Sequence, residues 1–209
     1  MSRAPFLSLD GLDGAGKSTQ CRLLAEWLRE QGWNVTQCAD PGGTVVGQSL
    51  RQILLDKSQR MSMTAETLLF MASRAQLVDE IIRPSLEAGN LVLSDRFLLA
   101  NVVYQGHAGG MDPEKVRDLA LFATAGLEPD LVVVLDLPKD LAKTRRTGKA
   151  DRVESRDETY HERVRSGFLI EAKQRPDRIR VVDASASAEE VQSRIREAVR
   201  DFVNRFPHS

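Results

Sequence analysis

Cysteine, histidine and long apolar runs are scarce in this chain, and each scarcity closes off a class of protein. The 209 residues include two cysteines and three histidines. Cys21 and Cys38 have no metal-type spacing and read as buried or incidental thiols of a reducing compartment. His107, His161 and His208 are scattered and suggest no metal site. No apolar run approaches the ~18 residues that a membrane-spanning helix needs. No long apolar segment precedes Asp10, so neither a cleaved leader nor a membrane partner is expected, and the expected location is cytoplasmic. A formal net charge of −1 gives no global pull toward nucleic acid, which is therefore not an expected partner. Internal repeats, low-complexity stretches and interdomain linkers are also lacking, so residues 1–209 read as one domain.

What is present is alternation. Short β-branched or apolar runs lie at Phe6–Asp10, Trp33–Cys38, Asn90–Asp95, Leu131–Asp136 and Ile179–Asp183. The third and fourth are near-continuous apolar runs, as expected of strands buried on both faces. Helical patterns fill the gaps at 17–31, 64–88, 113–125, 157–174 and 187–205. In the first, Cys21, Leu24 and Leu28 share a stripe; in the second, Leu68, Met71, Ala75 and Val78 do. The alternation predicts an α/β fold, a doubly wound parallel sheet with helices on both faces. Such sheets bind ligands beyond the carboxyl ends of their strands.

Residues 11–18, Gly-Leu-Asp-Gly-Ala-Gly-Lys-Ser, satisfy G-x-x-x-x-G-K-[ST], with a strand pattern before and a helix pattern after. Glycines let backbone N–H groups turn toward an anion, and the helix N-terminus behind them adds partial positive charge. Lys17 is placed to reach β- and γ-phosphates, and the Ser18 hydroxyl to ligate Mg²⁺. Asp95 closes another strand and is followed at once by Arg96, which puts both charges near this loop if the strands are neighbours.

The loop alone fits a switch, a motor or a kinase. A guanine-reading Asn-Lys-x-Asp is missing; Gly148-Lys149-Ala150-Asp151 lacks the asparagine. Asp40-Pro41-Gly42-Gly43 fits the Asp-x-x-Gly of a switch loop, but so short a match arises by chance. Residues 143–156 hold six basic side chains within fourteen positions, with Gly148 as a hinge. A basic lid of this kind can close over a triphosphate, place arginines on the transferring group and exclude water.

Taken in order, several pieces give the chain a strong likeness to thymidylate kinases over nearly its whole length. They are Asp10–Thr19, Asp40-Pro-Gly-Gly-Thr44, Leu68-Leu-Phe-Met-Ala-Ser-Arg-Ala-Gln76, Asp95-Arg-Phe97, Tyr104-Gln-Gly106 and a lid of about 143–156 ending in Asp151-Arg-Val-Glu154. The resemblance implies a P-loop fold with a five-stranded parallel sheet and a short mobile lid. It also implies a homodimer, Mg²⁺·ATP as donor and dTMP as acceptor. Gly11, Leu12, Asp13, Gly14, Ala15, Gly16, Lys17, Ser18 and Thr19 match the ATP-binding loop. Ser18, with Asp95 through a water, matches the metal position. Asp13 matches the carboxylate that accepts from the acceptor's 3′-hydroxyl, Phe70 the ring that stacks on thymine, and Arg74 the donor to thymine O4. Asn101 and Gln105 match further base contacts, and Tyr104 the ring against the sugar. Arg96 matches the grip on the acceptor phosphate, with Arg51 as another contact. Gly14 together with Arg145, Arg146 and Lys149 fits the bacterial arrangement, in which the lid supplies the catalytic arginines. The implied catalytic set is Lys17, Arg96, Arg145, Arg146 and Asp13.

The chain also departs from the family pattern. Ala39 replaces an arginine before Asp40, a loss for which Arg51 could compensate. Ser73 replaces a common aspartate, and Ala100 a frequent serine.

An acceptor phosphate monoester has a second pKa near ~6 and needs no general base. The task is to hold two polyanions together and in line. At this level a kinase for another nucleoside monophosphate or for a deoxynucleoside remains open, as does a non-catalytic nucleotide-dependent switch.

Overall fold

The computed structural model describes residues 4–145 and 150–206. Five parallel strands, β1 (Phe6–Gly11), β2 (Val35–Ala39), β3 (Leu91–Asp95), β4 (Leu131–Asp136) and β5 (Ile179–Asp183), form one sheet in the order β2-β3-β1-β4-β5. The three inner strands are buried on both faces almost throughout, whereas edge strands β2 and β5 are partly exposed. This is why the inner strands read as unbroken apolar runs. Parallel neighbours require crossovers, and helices supply them. Leu7 and Leu9 of β1 join one core with Leu24 and Leu28 of α1 (Lys17–Glu30), Phe168 of α8 (Glu158–Gln174) and Val199 of α9 (Ala188–Val203). Phe6 and Val92 join a second core with Met71 and Leu77 of α3 (Met63–Leu77), Leu86 of α4 (Arg83–Glu87) and Val116 of α6 (Pro113–Ala123). β1 lies between β3 and β4, so the crevice at its carboxyl end is where such a sheet accepts ligands.

The five strand expectations hold to within a residue or two. The expected single helix over 64–88 is instead three pieces: α3, a wider π turn at Val78–Ile82, and α4. Pro84 stands in the first turn of α4. Its missing N–H and its ring oppose an unbroken i→i−4 ladder, and the wider turn absorbs the break. The expected stripe on this helix also needs correction, because Leu68 is 50% exposed. The face that α3 buries is Glu66, Thr67, Met71, Ser73, Arg74 and Leu77, polar for the most part. Further helical segments that the apolar periodicity does not mark are α2 (Val45–Leu55), which carries Arg51, α5 (Leu98–Asn101) with a π turn at Val102–His107, and α7 (Lys139–Arg145). α2 is begun by Thr44, whose side chain accepts from Gly47 N at 2.9 Å. Among the described residues no helix is long and apolar enough to cross a membrane.

Candidate functional site

The loop between β1 and α1 turns through left-handed backbone at Gly14 and Gly16, with φ of 89° and 88°. No side chain caps α1, and its first turn carries no acidic residue, so its N-terminus is an open anion site. Gly11 makes the close approach of β1 to β4 possible: a Cβ there would lie 2.5 Å from the Leu135 carbonyl oxygen. Lys17 is 7% exposed and holds its ammonium against the Leu12 carbonyl at 2.8 Å and the Asp13 carboxylate at 3.5 Å. Burial pulls its pKa down, as does the Arg96 charge, against the pull of Asp13, Asp95 and Asp10. Ser18 Oγ donates to Asp95 Oδ2 at 2.5 Å.

Arg96 follows β3 with φ of 69°, a conformation that costs a non-glycine residue energy. Two bonds hold it there: its N–H donates to Leu9 O at 2.9 Å, and Ser94 Oγ donates to its carbonyl at 2.6 Å. The guanidinium is thereby aimed at the loop. Its Nη2 donates to Asp13 Oδ1 and, at 3.1 Å, to the Tyr104 hydroxyl, which itself donates to Asp13 Oδ2 at 3.1 Å. Arg96 Nη1 is buried and has no hydrogen-bond partner among the described residues. Burial alone would raise the Asp13 pKa. The charges of Arg96 and Lys17 and the two hydrogen bonds outweigh it and hold this carboxyl well below the usual range.

Arg74, 1% exposed, is enclosed on most sides. Nε donates to Asp40 Oδ2 at 2.6 Å, and Nη2 to Phe97 O at 3.2 Å and to Asn101 Oδ1. Among the described residues Nη1 has only a weak contact, to the Met71 sulfur at 3.5 Å. From Asn101 the bonding runs on: Nδ2 donates to Gln105 Oε1 at 2.8 Å, and Gln105 Nε2 donates to Glu66 Oε1 at 2.8 Å. Glu66, fully buried, also pairs through Oε2 with Arg152 at 2.6 Å and Arg156 at 2.5 Å.

Two joined clefts open on these residues. A smaller one, of about 560 Å³, is lined by Asp13, Arg51, Phe70, Arg74, Arg96, Asn101, Tyr104 and Gln105, the whole acceptor set expected from the sequence. A larger one, of about 1110 Å³, is lined by Asp13, Gly14, Gly16, Lys17, Ser18 and Thr19 of the loop, with Asp95, Arg96 and Arg145. Asp13, Asp40, Pro41, Arg51 and Arg96 border both. Gly11, Leu12 and Ala15 do not line the larger cleft; Ala15 borders a side cleft against Ala184, Ala186 and Ser187.

Arg145 lies at the expected edge, but its guanidinium donates to the carbonyls of Ala184, Ser185 and Ala186 at 2.6, 2.8 and 3.1 Å. Moving onto a phosphoryl group requires it to give up those bonds. Arg146 and Lys149 fall outside the described residues. Arg152 and Arg156, read as part of the basic lid, face Glu66 instead. The family departures also find places. Ala39 and Arg51 both line the larger cleft, Arg51 donating to Pro41 O at 2.9 Å, and Ser73 Oγ accepts from Gly42 N at 3.2 Å. Glu66 was missed by sequence reasoning, because a lone glutamate in an amphipathic helix reads as surface.

A divalent cation fits the Ser18–Asp95 pair on chemistry. These are hard oxygens beside the loop, and Mg²⁺ binds through one or two such groups plus phosphate oxygens and water. No cluster of three or more His, Cys, Asp or Glu side chains suited to a metal exists among the described residues, so nothing here resembles an all-protein cage.

The parallel sheet, the anion-ready loop at its carboxyl edge and the paired clefts define a P-loop nucleotide-binding protein. A family model described as thymidylate kinase matches residues 9–195. A thymidylate kinase of Symbiobacterium thermophilum is 46% identical over 202 residues, covering 96% of this chain and 94% of the relative. One from Rhodopirellula baltica is 45% identical over 190 residues, covering 91% and 78%. The crystal structure of thymidylate kinase from Ehrlichia chaffeensis superposes with a TM-score of 0.77 at 29% identity, covering 95% of this chain and 99% of that one. The chain belongs to the thymidylate kinase family.

Proposed function

We propose that this chain transfers the γ-phosphoryl group of ATP to dTMP, giving dTDP and ADP on the way to dTTP. One observation carries the reading beyond family membership: the two clefts share Asp13, Arg51 and Arg96, and Arg96 holds a buried nitrogen with no hydrogen-bond partner among the described residues. A buried guanidinium N–H demands an acceptor, and a phosphate at the junction supplies one.

In this reading the smaller cleft takes dTMP. Phe70, half-buried, offers its ring to thymine, and Arg74 Nη1 is the nitrogen available to O4. Asn101 and Gln105 line the base, Tyr104 packs on the sugar, and Asp13 accepts from the 3′-hydroxyl. Arg96 and Arg51 hold the acceptor phosphate. The larger cleft takes ATP, with the loop N–H groups and Lys17 on its phosphates. Ser18, and Asp95 through water, would hold Mg²⁺. Bound there, the ion neutralises charge on the donor phosphates. The remaining work belongs to the chain: Lys17 and Arg96 offset the repulsion of two polyanions and hold them in line. Arg145 and Arg146 are the proposed lid arginines for the transferring group, and closure over it excludes water.

We further assign a homodimer and a cytoplasmic location. Leu68 on α3 and Phe122 on α6 are 50% and 84% exposed, on helices that pack together, and present apolar surface for a second copy. Light scattering at a monomer mass refutes the dimer. The activity is tested by ADP release from ATP with dTMP, dUMP, dGMP, dCMP, AMP or thymidine as acceptor. Rapid release with dTMP above all others is expected, and slow acceptor-independent release overturns it.

A further inference from the structure

The bonds from Arg74 to Glu66 all point one way. Arg74 can only donate and the Glu66 carboxylate can only accept. Between them, Asn101 accepts from Arg74 and donates to Gln105, which donates to Glu66. Both amides are therefore fixed in orientation by the charged groups at the ends of the row. Asn101, Gln105 and Arg74 all line the acceptor cleft, and all are 2% exposed or less. Which side of each amide meets a base is thus decided jointly by Arg74 in the cleft and by Glu66, which does not line it.

The same carboxylate holds the turn above. Glu66 Oε2 pairs with Arg152 and Arg156. Arg152 also donates to Leu54 O at 2.7 Å, and Arg156 to the Tyr160 hydroxyl at 2.5 Å. The intervening turn is braced internally: Asp151 Oδ1 accepts from Val153 N and Glu154 N, both at 2.8 Å, and the Glu154 carboxylate accepts from Asp151 N at 3.0 Å. Asp151 and Val153 line the acceptor cleft, and Glu154 lines the donor cleft.

We infer that Glu66 is a positioning residue for base selection, acting through Gln105 and Asn101 while fastening the 151–154 turn over the acceptor. The inference rests on the proposed dTMP kinase activity. Thymine presents an N–H at N3 and a carbonyl at C4, and cytosine presents the reverse. A site with fixed amides tells them apart, because the wrong base leaves buried polar groups unpaired.

Glu66→Gln tests this. A glutamine must turn its oxygen toward Arg152 and Arg156, so its NH₂ faces Gln105. Gln105 then reverses, and the conflict passes to Asn101, whose oxygen Arg74 requires. The expected result is a loss of about tenfold in the dTMP-to-dCMP ratio of kcat/KM, with KM for ATP within about twofold of wild type. A purely structural defect lowers both acceptors together and leaves the ratio alone. Arg156→Gln keeps the Gln105–Glu66 bond and is expected to keep the ratio. If Glu66→Gln does not fold, the Glu66→Gln/Arg156→Gln double variant removes one of the two stranded charges. Arg152 still reverses the row there, and the same ratio is read. A ratio within about twofold of wild type in the folded variant overturns the inference and leaves the dTMP kinase activity standing. A wild-type chain inactive on dTMP overturns the activity and the inference with it.

Discussion

Asp40 and Arg74 form an ion pair at 2.6 Å in which neither side chain exceeds 1% exposure. Burial pushes the Asp40 carboxyl up, and the Arg74 charge and hydrogen bond offset that rise only in part. Such a pair matters most when broken, because the surviving partner keeps its desolvation cost. Asp40→Asn should lower stability by about 3 kcal/mol or more, read by urea unfolding. Arg74→Ala should raise KM for dTMP far more than KM for ATP; equal effects on both would refute the thymine-reading role.

Lys17→Ala should retain the fold and lose kcat by about a hundredfold or more, the scale of removing one fixed charge from a phosphoryl-transfer site. Circular dichroism and steady-state rates check the two halves. Wild-type turnover would remove Lys17 from the proposed machinery.

Asp10 gives a pH signature. It is fully buried just before the phosphate loop, and burial, opposed by Arg96 and Lys17, pushes its carboxyl up to about 7. The folded state thus keeps a proton that the unfolded chain loses near 3.8. The contribution favours folding fully below 3.8 and is lost as pH rises through about 7. Asp10→Asn should therefore lose less stability than wild type between pH 5 and 7.5. Parallel urea-unfolding curves across that range would contradict the assignment. Asp13, held well below the usual range, is the opposite case. Its contribution is present above the unfolded pKa and lost as pH falls through the lower, folded value, so it adds no slope in this window.

Gly11→Ala tests the β1–β4 contact. The added methyl meets the Leu135 carbonyl at 2.5 Å, and φ is 138°. A loss of about 3 kcal/mol or more is expected, seen as a lowered Tm. A Tm equal to wild type would mean that the strands part without cost.

The inner strands were legible because burial on both faces leaves an apolar run, and the loop because its spacing is set by phosphate geometry. Asp13 and Arg96 were legible from the loop motif and the strand end, whereas Phe70, Asn101, Tyr104 and Gln105 were legible only through family likeness, since the two aromatics look like ordinary core residues. The buried face of α3 was misread for a physical reason. It packs against polar partners, so apolar spacing selected Leu68 and passed over Glu66 and Arg74. Arg152 and Arg156 stood inside a charge run that reads as a lid over phosphates. Arg156 finds its partner ninety positions away, a distance no local pattern encodes.

At Arg96 the main chain and the side chain want different residues. A glycine would relax the backbone at φ of 69° but would strip the junction of the two clefts of its guanidinium. Selection for heat tolerance alone has reason to explore that exchange, and selection for turnover to forbid it. Variants that survive at this position should therefore separate by which of the two pressures was applied.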